Sequence, residues 1–346
     1  MSFQVQLQPS GHAFSVDTGE TILAAALRHG VMLPYGCRVG RCGACMATLR
    51  AGSIVYQGAT PSGLEPDELA ANKILVCQAH PESDLVLETR ELARAGDIPI
   101  KNLPARVHDL IALTHDIMRV RLKLPASERL QFMAGQYIEI LLKDGRRRAF
   151  SIANAPHDDD FIELHIRLIP GGEFTHTVFE ELKAKAMLRI EGPFGSYALN
   201  ESSTRPVILM GGGTGFAPLK GMLEHAFYIG DDRPLHLFWG VRAKRDLYLL
   251  ELIEKWQATQ PNFRCSLVLS EPAEENHWQG ATGWVMDTVV NQYPDLSGHD
   301  LYMSGPPVMI DAARTCFLEH GLPEQQMFSD AFEYAADTRN QAAEKS

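Results

Sequence analysis

Long apolar runs are missing from this 346-residue chain. None approaches the ~20 residues needed to cross a bilayer, and Met1 to Ser10 alternate polar and apolar residues without a basic start or a signal-like core. Basic residues are also in short supply: 32 Lys and Arg face 43 Asp and Glu, for a formal net charge of −11. That balance argues against nucleic acid or an anionic membrane as a partner, because both attract basic patches. Cysteine is scarce. Six in the whole chain exclude a disulfide scaffold, and four of them crowd into the first quarter with metal-site spacing. Such usage fits a reducing compartment, and a cytoplasmic protein is expected. Cys265 and Cys316 sit in apolar runs and read as small core residues. The chain further lacks an H-E-x-x-H pair, a G-x-S-x-G elbow, a Walker loop and solenoid repeats, which removes support for zinc-protease, serine-hydrolase and kinase chemistry.

What is present is an ordinary globular composition, 45% apolar and 22% charged, in a chain long enough for several cores. Three domains are expected. Phe3 to Leu7 alternates as a strand, Glu20 to His29 is a short alanine-rich helical stretch, and a glycine-rich loop runs from Gly36 to Gly43. Strands at Ile74 to Cys77 and Leu85 to Leu87 close a first domain over residues 1–92. The apolar pattern then lapses around Gly96, Asp97 and Pro99, which predicts a linker over 93–103. Across 104–199 period-2 alternation dominates, clearest in Val120-Leu122-Leu124 and Ile162-Leu164-Ile166-Leu168, and predicts a small antiparallel β-barrel. Across 200–335 apolar runs at Val207 to Met210, Leu235 to Trp239, Cys265 to Leu269 and Leu301 to Met303 alternate with helical stretches, predicting an α/β parallel sheet. Residues 336–346 are small and polar and read as a loose tail.

Cys37, Cys42, Cys45 and Cys77 form C-x4-C-x2-C-x31-C, the spacing of a plant-type [2Fe-2S] cluster. A loop that supplies three thiolates must wrap its cofactor closely, and Gly36, Gly40 and Gly43 give it the backbone freedom. A structural zinc site would favour two C-x2-C-like pairs, whereas here one pair follows an offset cysteine. The run Pro34 to Cys45, PYGCRVGRCGAC, resembles the cluster loop of plant-type ferredoxins. Over residues 1–92 that resemblance implies an α+β β-grasp domain with these four cysteines as metal ligands.

Arg148-Ala149-Phe150-Ser151 lies on a predicted barrel strand and resembles the R-x-Y-S motif of the ferredoxin-NADP reductase superfamily. An arginine fork can pair with a flavin phosphate, an aromatic ring can lie against the isoalloxazine, and a serine hydroxyl can bond near flavin N5. Phe150 keeps the stacking face of the usual tyrosine and loses its hydroxyl. About 20 residues on, Pro170 to Thr175 carries Gly172 and Thr175 at a predicted helix start; it either offers amides to a phosphate or is only a turn and cap.

After the strand Val207 to Met210, the run Gly211-Gly212-Gly213-Thr214-Gly215 opens onto a helix with Pro218 in its first turn. It is not the G-x-G-x-x-G fingerprint, but the physics is shared: glycines permit close approach, and a helix start favours pyrophosphate. Glu191 to Gly195, Phe238 to Arg242 and Tyr302 to Pro307 resemble successive elements of the same superfamily, in order. The resemblance places Ser304, Gly305 and Pro306 beside the nicotinamide, with Ser304 where a cysteine is common, and makes Ser151 and Ser304 the candidate catalytic pair. Arg242, Lys244 and Arg245 can meet a 2′-phosphate and so favour NADPH, whereas relatives with a fused ferredoxin domain mostly use NADH, which is the expectation here. Phe332 reads either as an aromatic against the flavin or as a core residue.

This domain order resembles the reductase components of aromatic-ring oxygenases, and Lys101-Asn102-Leu103-Pro104, Phe150 to Pro156, Trp239 to Arg242 and Ser329-Asp330-Ala331-Phe332 resemble the CDP-6-deoxy-delta-3,4-glucoseen reductase family. The resemblance implies electron flow from NAD(P)H through FAD to the cluster and on to a partner protein, a CDP-deoxysugar dehydrase or else an oxygenase. A redox-sensing module without turnover is the third possibility.

Overall fold

The computed structural model describes residues 2–31, 33–36, 38–41, 43–91, 98–272 and 278–332. They form two compact units, one of residues 1–99 with 195–197 and one of the rest.

In the first unit, strands β1 (Ser2–Gln8), β2 (Ala13–Asp17), β3 (Met46–Ala51), β5 (Lys73–Leu75) and β7 (Leu85–Glu88) make a five-stranded sheet in the order β2-β1-β7-β3-β5. Only β1 and β7 run parallel. Helix α1 (Ile22–Arg28) lies between β2 and β3 in the chain, β4 (Ile54–Tyr56) pairs with β6 (Ala79–Pro81), and α2 (Pro66–Ala70) precedes β5. The helix is shorter than the alanine-rich stretch suggests. Thr21 takes the N-cap, its hydroxyl accepting from Ala24 N at 3.2 Å, while Glu20 stays outside and pairs with Arg28 at 2.7 Å. Ile22, Leu23, Ala25 and Ala26 are its buried residues, at helical spacing, and Val5, Leu7, Val16 and Leu87 bury from the strands.

The second unit begins with an antiparallel barrel of β8 (Lys101–Ala112), β9 (Ile117–Lys123), β10 (Tyr137–Leu141), β11 (Arg147–Ser151), β12 (Ile162–Arg167) and β13 (Met187–Phe194), with α3 (Glu173–Glu180) between the last two. The order is β11-β10-β13-β8-β9-β12, and a bridge between Ile152 and Leu164 joins the two outer strands, so the sheet closes on itself. Strand β8 opens at Lys101, inside the stretch expected as linker, because Leu103, Ala105 and Val107 alternate into the barrel core with Ile138, Ile140, Leu164 and Ile190.

A six-stranded parallel sheet follows, of β14 (Val207–Gly212), β15 (Leu235–Val241), β16 (Phe263–Leu269), β17 (Ala281–Thr282), β18 (Asp300–Gly305) and β19 (Met327–Ala331). Its connections carry α4 (Phe216–Ile229), α5 (Leu250–Thr259), α6 (Val285–Gln292) and α7 (Pro307–Glu319). Every residue of β14 and of β18 is buried, the pattern of central parallel strands covered on both faces. The order β17-β16-β15-β14-β18-β19 reverses direction at β14, so the carboxyl ends of β14 and β18 mark the switch point where open sheets bind ligands.

Candidate cluster, flavin and nicotinamide sites

Cys45 immediately precedes β3, and Cys77 lies two residues past β5, where Val76 N donates to Cys45 O at 3.2 Å across the strand pair. Both thiols are buried; Cys37 and Cys42 lie outside the described residues. Between them the chain curls through left-handed residues, Arg38 at φ 61° and Gly40 at φ 74°. Only glycine fits the second place, because a Cβ there would stand 2.8 Å from Pro61 Cβ and 2.9 Å from Gln78 Cγ. The Gln78 amide in turn donates to Arg38 O at 2.8 Å. Tyr56 closes the inner side: its phenol oxygen accepts from Leu75 N at 3.1 Å, and burial first, with Cys45 and Cys77 nearby, raises its pKa. Two buried sulfurs under a tightly curled loop fit a cluster that needs thiolate ligands and close backbone.

In the barrel, β11 is held between β10 and the closing bridge, which fixes Arg148, Phe150 and Ser151 by register against Ile140, Ile138 and Tyr137. The arginines ahead of them are committed elsewhere. Arg146 pairs with Asp144 and Glu173 at 2.6 Å, and Arg147 pairs with Glu139 and Glu191. Arg148 donates to the Arg147 carbonyl and keeps a half-buried guanidinium beside the strand. Phe150, half-buried, packs against the barrel core and stands 5.7 Å from the Phe174 ring of α3. Gly172 caps α3, and Thr175 staples the loop ahead of it: its hydroxyl accepts from Ile169 N at 3.1 Å and bonds Gly172 O at 3.0 Å. That hydroxyl serves the loop's own backbone, which leaves the amides at the helix start as the groups suited to phosphate.

Gly211 and Gly212 end β14, and Gly213 to Gly215 form a 3-10 turn leading into α4. The turn is packed at backbone distance against β18: a Cβ on Gly215 would lie 2.0 Å from the Ser304 carbonyl oxygen, and one on Gly212 2.6 Å from Met309 Sδ. Thr214 is buried within it. Trp239 Nε1 donates to Gly213 O at 2.9 Å and its ring stacks on Phe216, fixing the turn from the other side. Pro306 caps α7, so Ser304, Gly305 and Pro306 follow one another from strand end into helix start. Ser304 Oγ is fully buried with no hydrogen-bond partner among the described residues. Glycines that no side chain can replace, at the strand ends and helix start where open sheets bind ligands, together with a buried hydroxyl lacking a partner, fit a dinucleotide site better than a plain turn. Arg242, Lys244 and Arg245 are exposed just past β15, and Phe332 N donates to Gly305 O at 2.9 Å, with its ring half-buried.

Two residues the sequence reading passed over stand among these. Asp330 on β19 pairs in register with Ser304, and its Oδ2 accepts from Ser151 Oγ at 3.1 Å. It thus joins the end of the flavin strand to the end of the nicotinamide strand. It lies two residues before Phe332, the aromatic that the sequence singles out. Arg167, the last residue of β12, has Nη1 3.0 Å from where a Gly213 Cβ would stand, and its Nε is held by Asp116 Oδ2 at 2.7 Å. Nothing local in the sequence marks that approach.

Comparison with known proteins matches three domain families along the chain. They are the 2Fe-2S iron-sulfur cluster binding domain over residues 5–82, the oxidoreductase FAD-binding domain over 104–199 and the oxidoreductase NAD-binding domain over 209–315. The CDP-6-deoxy-L-threo-D-glycero-4-hexulose-3-dehydrase reductase of Yersinia pestis is 38% identical over 332 residues, covering 96% of this chain and 99% of that protein. Terephthalate 1,2-dioxygenase reductase component 1 of a Comamonas species is 35% identical over 337 residues, covering 96% and 98%. The crystal structure of Amycolatopsis cytochrome P450 reductase GcoB matches with a TM-score of 0.77 and 33% identity over 95% of this chain and 98% of that one. The chain therefore belongs to the iron-sulfur flavoprotein reductases of the ferredoxin-NADP reductase superfamily and is an oxidoreductase that carries electrons from NAD(P)H through FAD to a [2Fe-2S] cluster and an accepting protein.

Proposed function

We propose that this chain uses NADH and reduces a dehydrase that acts on a CDP-linked deoxysugar. The observation that carries the catalytic part is the 3.1 Å contact between Ser151 and Asp330, which ties the flavin motif to the strand end paired with Ser304. When bound, FAD accepts a hydride's two electrons together and passes them on singly to the cluster. Arg148 and the amides at the start of α3 would hold the flavin phosphates, and Phe150 would lie along the ring system. Ser151 would orient toward flavin N5, with Asp330 keeping its hydroxyl directed. Gly211 to Gly215 and the start of α4 would receive the NADH pyrophosphate, and Ser304, Gly305 and Pro306 would border its nicotinamide. Phe332, tied to Gly305 through its amide, would lie against the flavin from just past the last strand. Arg242 would contact the adenosine end. Cys37, Cys42, Cys45 and Cys77 would hold the cluster, in the reducing cytoplasm.

The dehydrase is favoured as partner by the 38% identity to the Yersinia protein. An oxygenase as partner is the second reading, supported by the 35% identity to the terephthalate dioxygenase reductase. Anaerobic titration with NADH tests the catalytic reading: flavin absorbance should bleach, and one rhombic paramagnetic signal per chain should appear. Cys77→Ser should abolish that signal and leave flavin bleaching intact. Bleaching lost together with the signal in a folded variant counts against separate flavin and cluster sites. Reconstitution with a CDP-hexulose dehydrase and, in parallel, with a ring-hydroxylating oxygenase distinguishes the two partners by which one turns over.

A further inference from the structure

Five polar side chains are gathered where barrel strand β12 meets helix α4. Lys220 Nζ donates to Glu224 Oε2 at 3.0 Å, one turn along its own helix, and to the Ala153 carbonyl at 3.2 Å; it stands 3.4 Å from Glu163 Oε1. The same Glu163 oxygen lies 3.0 Å from His165 Nε2, and His165 Nδ1 lies 3.2 Å from the Tyr248 hydroxyl. His165 is wholly buried, and burial lowers its pKa, so the ring is neutral at pH 7. Tyr248, pushed well above the usual phenol range by burial, keeps its proton. One assignment then satisfies every contact: the phenol donates to Nδ1, and Nε2–H donates to Glu163. The carboxylate receives the imidazole on one side and the ammonium on the other.

Interior charge of this kind is a poor source of stability, since each buried ion costs several kcal/mol that only good geometry offsets. Its position suggests another use. Ala153 lies two residues past Ser151, on the backbone that continues the flavin strand, and Lys220 lies five residues past Gly215, on the helix that continues the glycine run. Next to it Gly221 lets α4 settle directly on that backbone: a Cβ there would stand 2.9 Å from the Asn154 carbonyl oxygen. Asn154 is itself pinned, donating to Asp158 O at 2.7 Å and to Phe161 O at 3.0 Å. The nicotinamide helix and the flavin strand are thus in backbone contact, and Lys220 adds a direct hydrogen bond between them.

We propose that Lys220 is a positioning residue for hydride transfer, its ammonium bridging Ala153 O, Glu163 and Glu224 so that the glycine turn of α4 presents a nicotinamide to the flavin at reacting distance. This deepens the functional reading above and rests on it. Reaction rate is far more sensitive to a shift of α4 than binding is, because a misplacement of about 1 Å costs roughly 100-fold in rate.

The test is Lys220→Met in the full chain loaded with FAD and cluster, mixed with NADH in a stopped-flow instrument. The limiting rate of flavin reduction should fall about 30-fold, while half-saturation by NADH moves less than about threefold. FAD per chain should be unchanged, and the isotope effect with NADH deuterated at the transferred position should rise. Lys220→Met/Glu224→Gln, which removes the surplus carboxylate, should give the same split and serves if the single variant does not fold. An unchanged limiting rate in either folded, FAD-loaded variant overturns the proposal, and so does a loss confined to half-saturation or to FAD content. A wild-type flavin that NADH does not reduce overturns the functional reading itself, and the proposal with it.

Discussion

The two halves of the proposed hydride site are built from different material. The nicotinamide side is made of backbone: Gly211, Gly212, Gly215 and Gly305 bring two strand ends and a helix start so close that a Cβ at Gly215 would meet a carbonyl oxygen at 2.0 Å. The proposed flavin side is made of side chains, Arg148, Phe150 and Ser151, carried by a strand whose backbone is paired with β10. A backbone site fails sterically and all at once when altered, whereas a side-chain site loses one interaction at a time. Substitutions on the two sides should therefore differ in kind, not only in degree.

Gly215→Ala is the harshest way to sharpen the contrast. The added methyl collides with Ser304 O, a backbone atom that cannot rotate away, and overpacking of this sort costs ~1–3 kcal/mol or more. The expected outcome is loss of flavin reduction by NADH with a lowered melting temperature, while dithionite still bleaches a normal complement of FAD held by the barrel. Retained NADH reduction would mean that the turn has room to shift, and the contrast would collapse. Arg148→Leu should be milder and more selective. Removing one charge-assisted contact costs ~1.5–3 kcal/mol, or about 10- to 100-fold in affinity, read as FAD released on dilution and followed by flavin fluorescence. NADH reduction of the FAD that remains should be nearly normal.

The same contrast explains what could be read from the sequence. The cysteine spacing, the glycine run and the strand alternation were legible because each is imposed by local geometry: no other residue supplies a thiolate, fits against Pro61 and Gln78 as Gly40 does, or clears a backbone oxygen at 2.0 Å. The Ser151–Asp330 contact was not, because it joins residues 179 positions apart and a lone aspartate in a strand carries no period. Lys220 was hidden in the opposite way. At the fifth position of an apolar helix start it reads as a solvent-facing lysine, and only the closed barrel shows that it is buried against Glu163. The early start of β8 was concealed by Gly96, Asp97 and Pro99, turn signals by composition that lie just ahead of it; Pro104 within the strand is paired with Arg189, exposed between buried Leu103 and Ala105.

The buried network allows the gentlest test of the contrast, since here the side chains bind each other rather than a cofactor. Burial opposes the charge on Glu163, yet the His165 hydrogen bond and the Lys220 ammonium hold its pKa down from 4.5 to about 2. A carboxyl depressed in the folded state stabilises the fold above its ordinary value, and this share is lost as pH falls from about 4.5 toward about 2. Glu224, raised by burial, works with the opposite sign, gaining stability as it takes up a proton. Comparing wild type with Glu163→Gln isolates the first effect. The melting-temperature gap between them should be widest and constant above pH 5 and should narrow steadily below about pH 4.5, where the wild-type carboxylate begins to lose its advantage over the unfolded chain. A gap that stayed constant down to the acid limit would show that Glu163 gains nothing from His165 and Lys220. The interior charge would then be tolerated packing, and α4 would be held against the flavin strand by Gly221 and its backbone contact alone.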